Sequence, residues 1–161
     1  MGMECYGVSL HSAEPPADVI AQAIAQLPHV QFRGEHALFG GWRFVHDDDR
    51  HLIELLLTER DGGNCLDIRF ALSNHSSIDD SFIEITQWAV DLMFPAIWPM
   101  NGTNAVRDSI PFPPDGDFFA VVGTEIEAIR STWLQMFDPP RGPVEVDQAW
   151  DGLLPQEQSR G

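Results

Sequence analysis

Hydrophobic positions change period along the chain, and the changes mark its elements. "NCLDIRFALS" alternates: Leu66, Ile68, Phe70 and Leu72 fall on one side, Asp67 and Arg69 on the other. That two-residue period predicts a half-buried strand. "HLIELLLTER" is apolar almost throughout, which predicts a mostly buried strand. "DGGN" at 61–64 joins the two as a hairpin turn. "GWRFVH" alternates too, with Trp42 and Phe44 on one face and Arg43 and Val45 on the other. "HVQFRG" reads as a short strand, and the centre of the chain as an antiparallel meander. "ECYGVSL" predicts a first strand.

Elsewhere the period lengthens to three and four. "PPADVIAQAIAQL" carries a stripe of Ile20, Ala23, Ile24 and Leu27, with Pro15 and Pro16 suited to a helix start. A helix from Asp79 to Met93 is predicted, with Phe82, Ile85, Ala89, Leu92 and Met93 on its core face. Ser77 and Asp80 fit a capping box at its start. A last helix from Asp117 to Phe137 shows Phe119, Val122, Ile126, Ile129, Trp133 and Met136 at helical spacing. The Pro- and aromatic-rich connection before it has room for one short strand.

The predicted order is β-α-β-β-β-α-(β)-α. It implies an α+β fold: an antiparallel sheet of about four or five strands with two or three helices packed mainly on one face. Residues 1–137 are expected to form a single domain, and 138–161 a Pro- and acid-rich tail.

Composition narrows the chemistry. The 161 residues carry 25 acidic and 9 basic side chains, formal net charge −16, and all nine bases are arginine. Without lysine there is no Schiff-base chemistry and no P-loop. Half the excess sits in residues 47–91, where eleven acids face three arginines, net −8. Such a field repels nucleic acid and anionic membrane and attracts basic proteins. Cys5 and Cys65 form no CxxC and suit a reducing compartment. The first residues lack a signal-peptide pattern, and no apolar run approaches a membrane span. A cytoplasmic location is expected.

"HDDDRH" at 46–51 is the densest cluster. His46, Asp48 and His51 could bind a divalent ion, but no HExxH or calcium-loop pattern accompanies them. An acidic hairpin turn that faces a partner is the preferred reading, with metal as the minor one. No metal and no cofactor are expected. Nucleophilic motifs are missing too, and Cys65, His75 and Asp79 are too spread along an extended strand to act together. No catalytic residue is assigned. On the helix from Asp79, Trp88 stands with Glu84, Gln87 and Asp91 on the face opposite the core, the form of an interaction hot spot. The partner-binding candidates are Asp47, Asp48, Asp49, Asp80, Glu84, Trp88 and Asp91.

"CLDIRFALSNHSSIDDSFIEITQWAVDLM", a strand running into a capped helix, resembles immunity proteins of bacterial polymorphic-toxin, type VI and contact-dependent secretion systems. So does the proline-broken tail near "VEVDQAW". The resemblance covers about half the chain and carries over no residue as a known contact. It implies a cytoplasmic, non-enzymatic protein that binds and neutralises a cognate toxin domain. That partner would be basic and active in the cytoplasm, such as a nuclease or nucleotide-modifying enzyme. Two other readings stay open. One is a small enzyme or ligand-binding domain with a pocket at Trp98, Met100 and Phe112; the other is a secretion-system adaptor or chaperone.

Overall fold

A computed structural model describes residues 5–35, 41–60, 62–72, 74–93, 96–99 and 116–136. The elements are β1 (Cys5–Ser12), α1 (Ala17–Ala25), β2 (Val30–Glu35), β3 (Trp42–Asp47), β4 (Leu52–Arg60), β5 (Gly63–Ala71), α2 (Ile78–Met93), β6 (Ala96–Pro99) and α3 (Gly116–Met136). All strands join one antiparallel sheet in the order β2-β3-β4-β5-β1-β6. The α+β class is as expected. The sheet runs to six strands once the short β6 is included, and "HVQFRG" forms a full strand of the meander. The tail, and the pocket expected at Met100 and Phe112, lie outside the described residues.

Registered rows of apolar side chains build one face. Ile53, Phe70 and Tyr6 line up across β4, β5 and β1, as do Leu55, Ile68 and Val8, and then Leu57, Leu66 and Leu10. All three helices close on this face. They contribute Ile20 and Ile24, then Phe82, Ile85, Ala89 and Met93, then Val122 and Ile126, all in one buried cluster. Phe82 sets its ring 4.9 Å from Phe70 and 5.8 Å from Tyr6, both edge-on, the arrangement that aromatic quadrupoles favour. Leu92 and Ile129 pack on the cluster only half-buried.

At Gly7, a Cβ would lie 2.8 Å from the Ile68 carbonyl oxygen and from Arg69 Cβ, so a bare backbone lets β1 close on β5. At the other end, Gly34 takes φ 92° where the β2–β3 register breaks between Phe32 and Glu35. That irregularity blunts the exposed edge strand.

The second sheet face is mixed. Glu54 on β4 is nearly inaccessible and is held between two arginines. Arg43 Nη2 reaches its Oε2 at 3.3 Å, and Arg69 Nε donates to its Oε1 at 2.9 Å. Cys65 lies on the same face against Ser9 Oγ (3.4 Å), His11 Nε2 (3.9 Å) and Asp67 Oδ1 (3.4 Å).

Two polar links tie α3 down. The Arg130 guanidinium grips both carboxylate oxygens of Asp79 in the first turn of α2. The buried Tyr6 hydroxyl donates to Glu125 Oε2 at 2.8 Å. Burial pushes the Glu125 carboxyl above its usual range, and the Tyr6 hydrogen bond opposes this only in part. A raised folded-state value means that Glu125 lowers stability as pH rises through it. Glu125→Gln keeps an acceptor for Tyr6 and removes the desolvated charge. It is expected to melt higher than the parent at pH 7. The advantage should shrink on acidification and vanish below the ordinary glutamate value of 4.5, as thermal melts across a pH series would read.

Candidate functional site

The three consecutive aspartates at 47–49 leave β3 and fold back to start β4, each in a different role. Asp47 Oδ1 accepts the Asp49 amide at 2.9 Å. Asp48 Oδ1 accepts the amides of Arg50 (3.1 Å) and His51 (2.8 Å), and its Oδ2 lies 3.1 Å from His51 Nδ1. Asp49 takes φ 71°, a left-handed turn position that Asp tolerates better than most residues. The turn predicted from the sequence is there, and its own carboxylates build it.

His51 is buried, 4% exposed, and bridges two elements. Its Nδ1 faces Asp48 and its Nε2 meets Ser77 Oγ, which also lies 2.8 Å from His75 Nδ1. Carboxylate, imidazole and hydroxyl thus stand in the order of a Ser-His-Asp relay. Several features make it a strut between the turn and the start of α2. The imidazole is shut from solvent, and the serine oxygen is bracketed by two histidines. The neighbouring pocket is lined by Asp48 but by neither His51 nor Ser77. Ser77 therefore anchors the helix start through His51 and His75, in place of the expected capping box with Asp80.

The minor metal reading at His46, Asp48 and His51 gains no support from this geometry. Both ring nitrogens of His51 have partners, and among the described residues no group of three His, Cys, Asp or Glu side chains is arranged to hold an ion. Cys65 sits with Ser9, His11 and Asp67, not with His75 and Asp79.

A pocket of about 330 Å³ opens between this turn and α2. Its walls are Leu27, Pro28 and His29 after α1, His46 and Asp48 at the end of β3, and Ser81, Glu84, Ile85 and Trp88 along α2. Side chains three and four apart share a helix face, so one side of α2 supplies all four of its lining residues. His29 and His46 meet edge to face at 5.9 Å. His46 Nδ1 is buried without a hydrogen-bond partner. Burial, aided by the charges of His29 and His51, holds the His46 imidazole below its usual pKa, although the Asp48 charge opposes this. Asp48 is lowered as well, for a different reason. Burial alone would raise it, but the hydrogen bonds from His51 and Arg50, with the His51 charge, bring it below its ordinary value. Near neutrality the pocket therefore offers ionised Asp48 beside a His46 imidazole biased towards its neutral form.

Of the seven predicted partner residues, Asp48, Glu84 and Trp88 meet in this pocket. Asp47 and Asp49 flank it in the turn. Asp80 and Asp91 are exposed on α2 outside its lining. Trp88 was expected on the face opposite the core. It is half-buried instead, packed against the core edge as it lines the pocket. Sequence reasoning did not single out His29 or Ser81, because neither carries a local signal. No family model, curated protein or solved structure matches the chain.

Proposed function

We propose that this chain is an immunity-type inhibitor. It binds a cognate basic toxin domain through the acidic face formed by the β3–β4 turn and the adjoining side of α2. One observation carries the reading. Asp48, Glu84 and Trp88, distant in sequence, converge on a single open pocket. The exposed carboxylates of Asp49, Asp80 and Asp91 flank it. Charge on this face would steer a basic partner in, and the half-buried indole would slow its release. The resemblance noted in the sequence and the net charge of −16 point the same way. Binding by surface complementarity needs no catalytic residue, and a cytoplasmic setting accords with two free cysteines.

The test is affinity capture with the tagged chain from the cells that make it. The reading expects one dominant basic partner at 1:1. Asp47 and Asp48 are poor mutagenesis targets because their carboxylates hold the turn. Reversing the exposed Glu84 and Asp91 to arginine and changing Asp49 to asparagine, which also accepts its left-handed backbone, is expected to slow association with that partner by roughly 10- to 100-fold, with folding unchanged. Trp88→Ala is expected to act mainly on dissociation. Association rates that ignore both the reversals and added salt would remove the electrostatic mechanism. The pocket's volume also favours a second reading, a small-molecule-binding domain. Capture of a small ligand in place of a protein would select it.

A further inference from the structure

We propose that the pocket between the β3–β4 turn and α2 is a receptor for one arginine side chain of the protein partner, its guanidinium laid against Trp88 and held by Asp48 and Glu84. This deepens the inhibitor reading and rests on it for the source of the arginine. The chemistry of the walls selects the occupant. Two carboxylates enter from different elements, so the pocket favours a cation. Leu27, Pro28, Ile85 and Trp88 make much of the remaining wall apolar. A strongly hydrated ammonium would lose water there without replacement, whereas a guanidinium is weakly hydrated and stacks on an indole.

Acceptor capacity fits as well. A carboxylate offers about four lone-pair positions. Asp48 uses three of them, two on Oδ1 and one on Oδ2. One position on Oδ2 is left. Glu84 has no ion pair among the described residues and can take further N–H groups. A divalent cation is the weaker candidate, because the described His and carboxylate groups do not assemble into a ligand set.

The experiment is an NMR titration of the full chain with N-acetyl-arginine amide, read at the Trp88 indole N–H after assignment with Trp88→Phe. The lysine and citrulline analogues and agmatine serve as comparison probes. The arginine probe should give saturable shifts with a Kd of roughly 1–10 mM, the range for a fragment this small. The lysine probe should bind several-fold more weakly, and uncharged citrulline not at all. Glu84→Gln, on an exposed position, should weaken the arginine probe at least about fivefold. Asp48→Asn should do the same if circular dichroism shows it folded. No Trp88 response to arginine, or an equal response to citrulline, overturns the proposal. Binding of agmatine in the micromolar range overturns the assignment to a protein side chain in favour of a free guanidinium compound. The two readings fail separately. A successful titration with no basic partner in the capture experiment sinks the inhibitor reading and leaves the guanidinium site. A captured partner with an unresponsive pocket does the reverse.

Discussion

Replacing Phe82 by alanine is expected to lower stability by about 4 kcal/mol, the largest effect of any single truncation proposed for this chain. The ring is fully buried and contacts both Phe70 and Tyr6, so its removal loses transfer free energy, two edge-on aromatic contacts and close packing. Domains of this size have roughly 5–15 kcal/mol in total, so the variant would sit near the edge of folding. Urea unfolding is the measurement: the midpoint should fall sharply while the slope stays unchanged. Phe82→Leu should recover about half the loss. A midpoint that hardly moved would mean that α2 is not anchored where it appears. Since α2 carries Glu84 and Trp88, the alanine variant should also lose the pocket they line in proportion to the fraction unfolded.

The second large effect is expected at Glu54. Truncation to alanine removes a nearly inaccessible carboxylate that Arg43 and Arg69 both engage. The expected loss is about 3 kcal/mol, from the charge-assisted hydrogen bonds to both guanidiniums that go with the carboxylate. Replacing all three residues together by leucine should cost less than the single truncation, because a buried ionic cluster can be exchanged for apolar side chains of similar volume at little cost. A triple variant less stable than Glu54→Ala would show that the ionic cluster itself, rather than its balance, holds the second face. Neither change touches the pocket lined by Asp48, Glu84 and Trp88, so refolded protein should keep its response to the arginine probe.

Periodicity made much of the fold legible. The alternation through Leu66, Ile68 and Phe70 fixed a face, and the continuous apolar run of β4 announced a central strand. Its Ile53, Leu55 and Leu57 join the helix-covered face, while Leu52, Leu56 and Thr58 are buried on the other. What periodicity cannot encode is which strand lies beside which. β1 reads like any amphipathic strand, and only registration against Phe70, Ile68 and Leu66 reveals that it lies inside the sheet. The same limit applies at the site. "HDDDRH" was readable as a turn because Asp residues favour that backbone locally. The burial of His51 was not readable, because it depends on Ser77 arriving from another element. Trp88 was read as a candidate contact on an outer face, and it lies half-buried at the core edge. A tryptophan is wide enough to rest on the core edge and still border the pocket, and helical spacing alone does not separate those two positions. The grip of Arg130 on Asp79 left no local signal at all.

The interior position of β1 sets a timetable for folding. It is the first described strand to leave the ribosome, yet Cys5 must find Ala71, and Leu10 must find Ile97, before it is paired on both sides. Until then its apolar residues have no strand to join, and a nascent chain that stops short of β5 carries them uncovered. Closing loops of that length is slow rather than costly at equilibrium, since each doubling of length adds only about 0.6 kcal/mol. Folding is therefore expected on the millisecond-to-second scale of non-local sheets, not the microseconds of helical bundles. The meander β2–β5 can form before β1 docks. How soon after synthesis the chain is complete as a fold would depend on when that last internal strand slides into place.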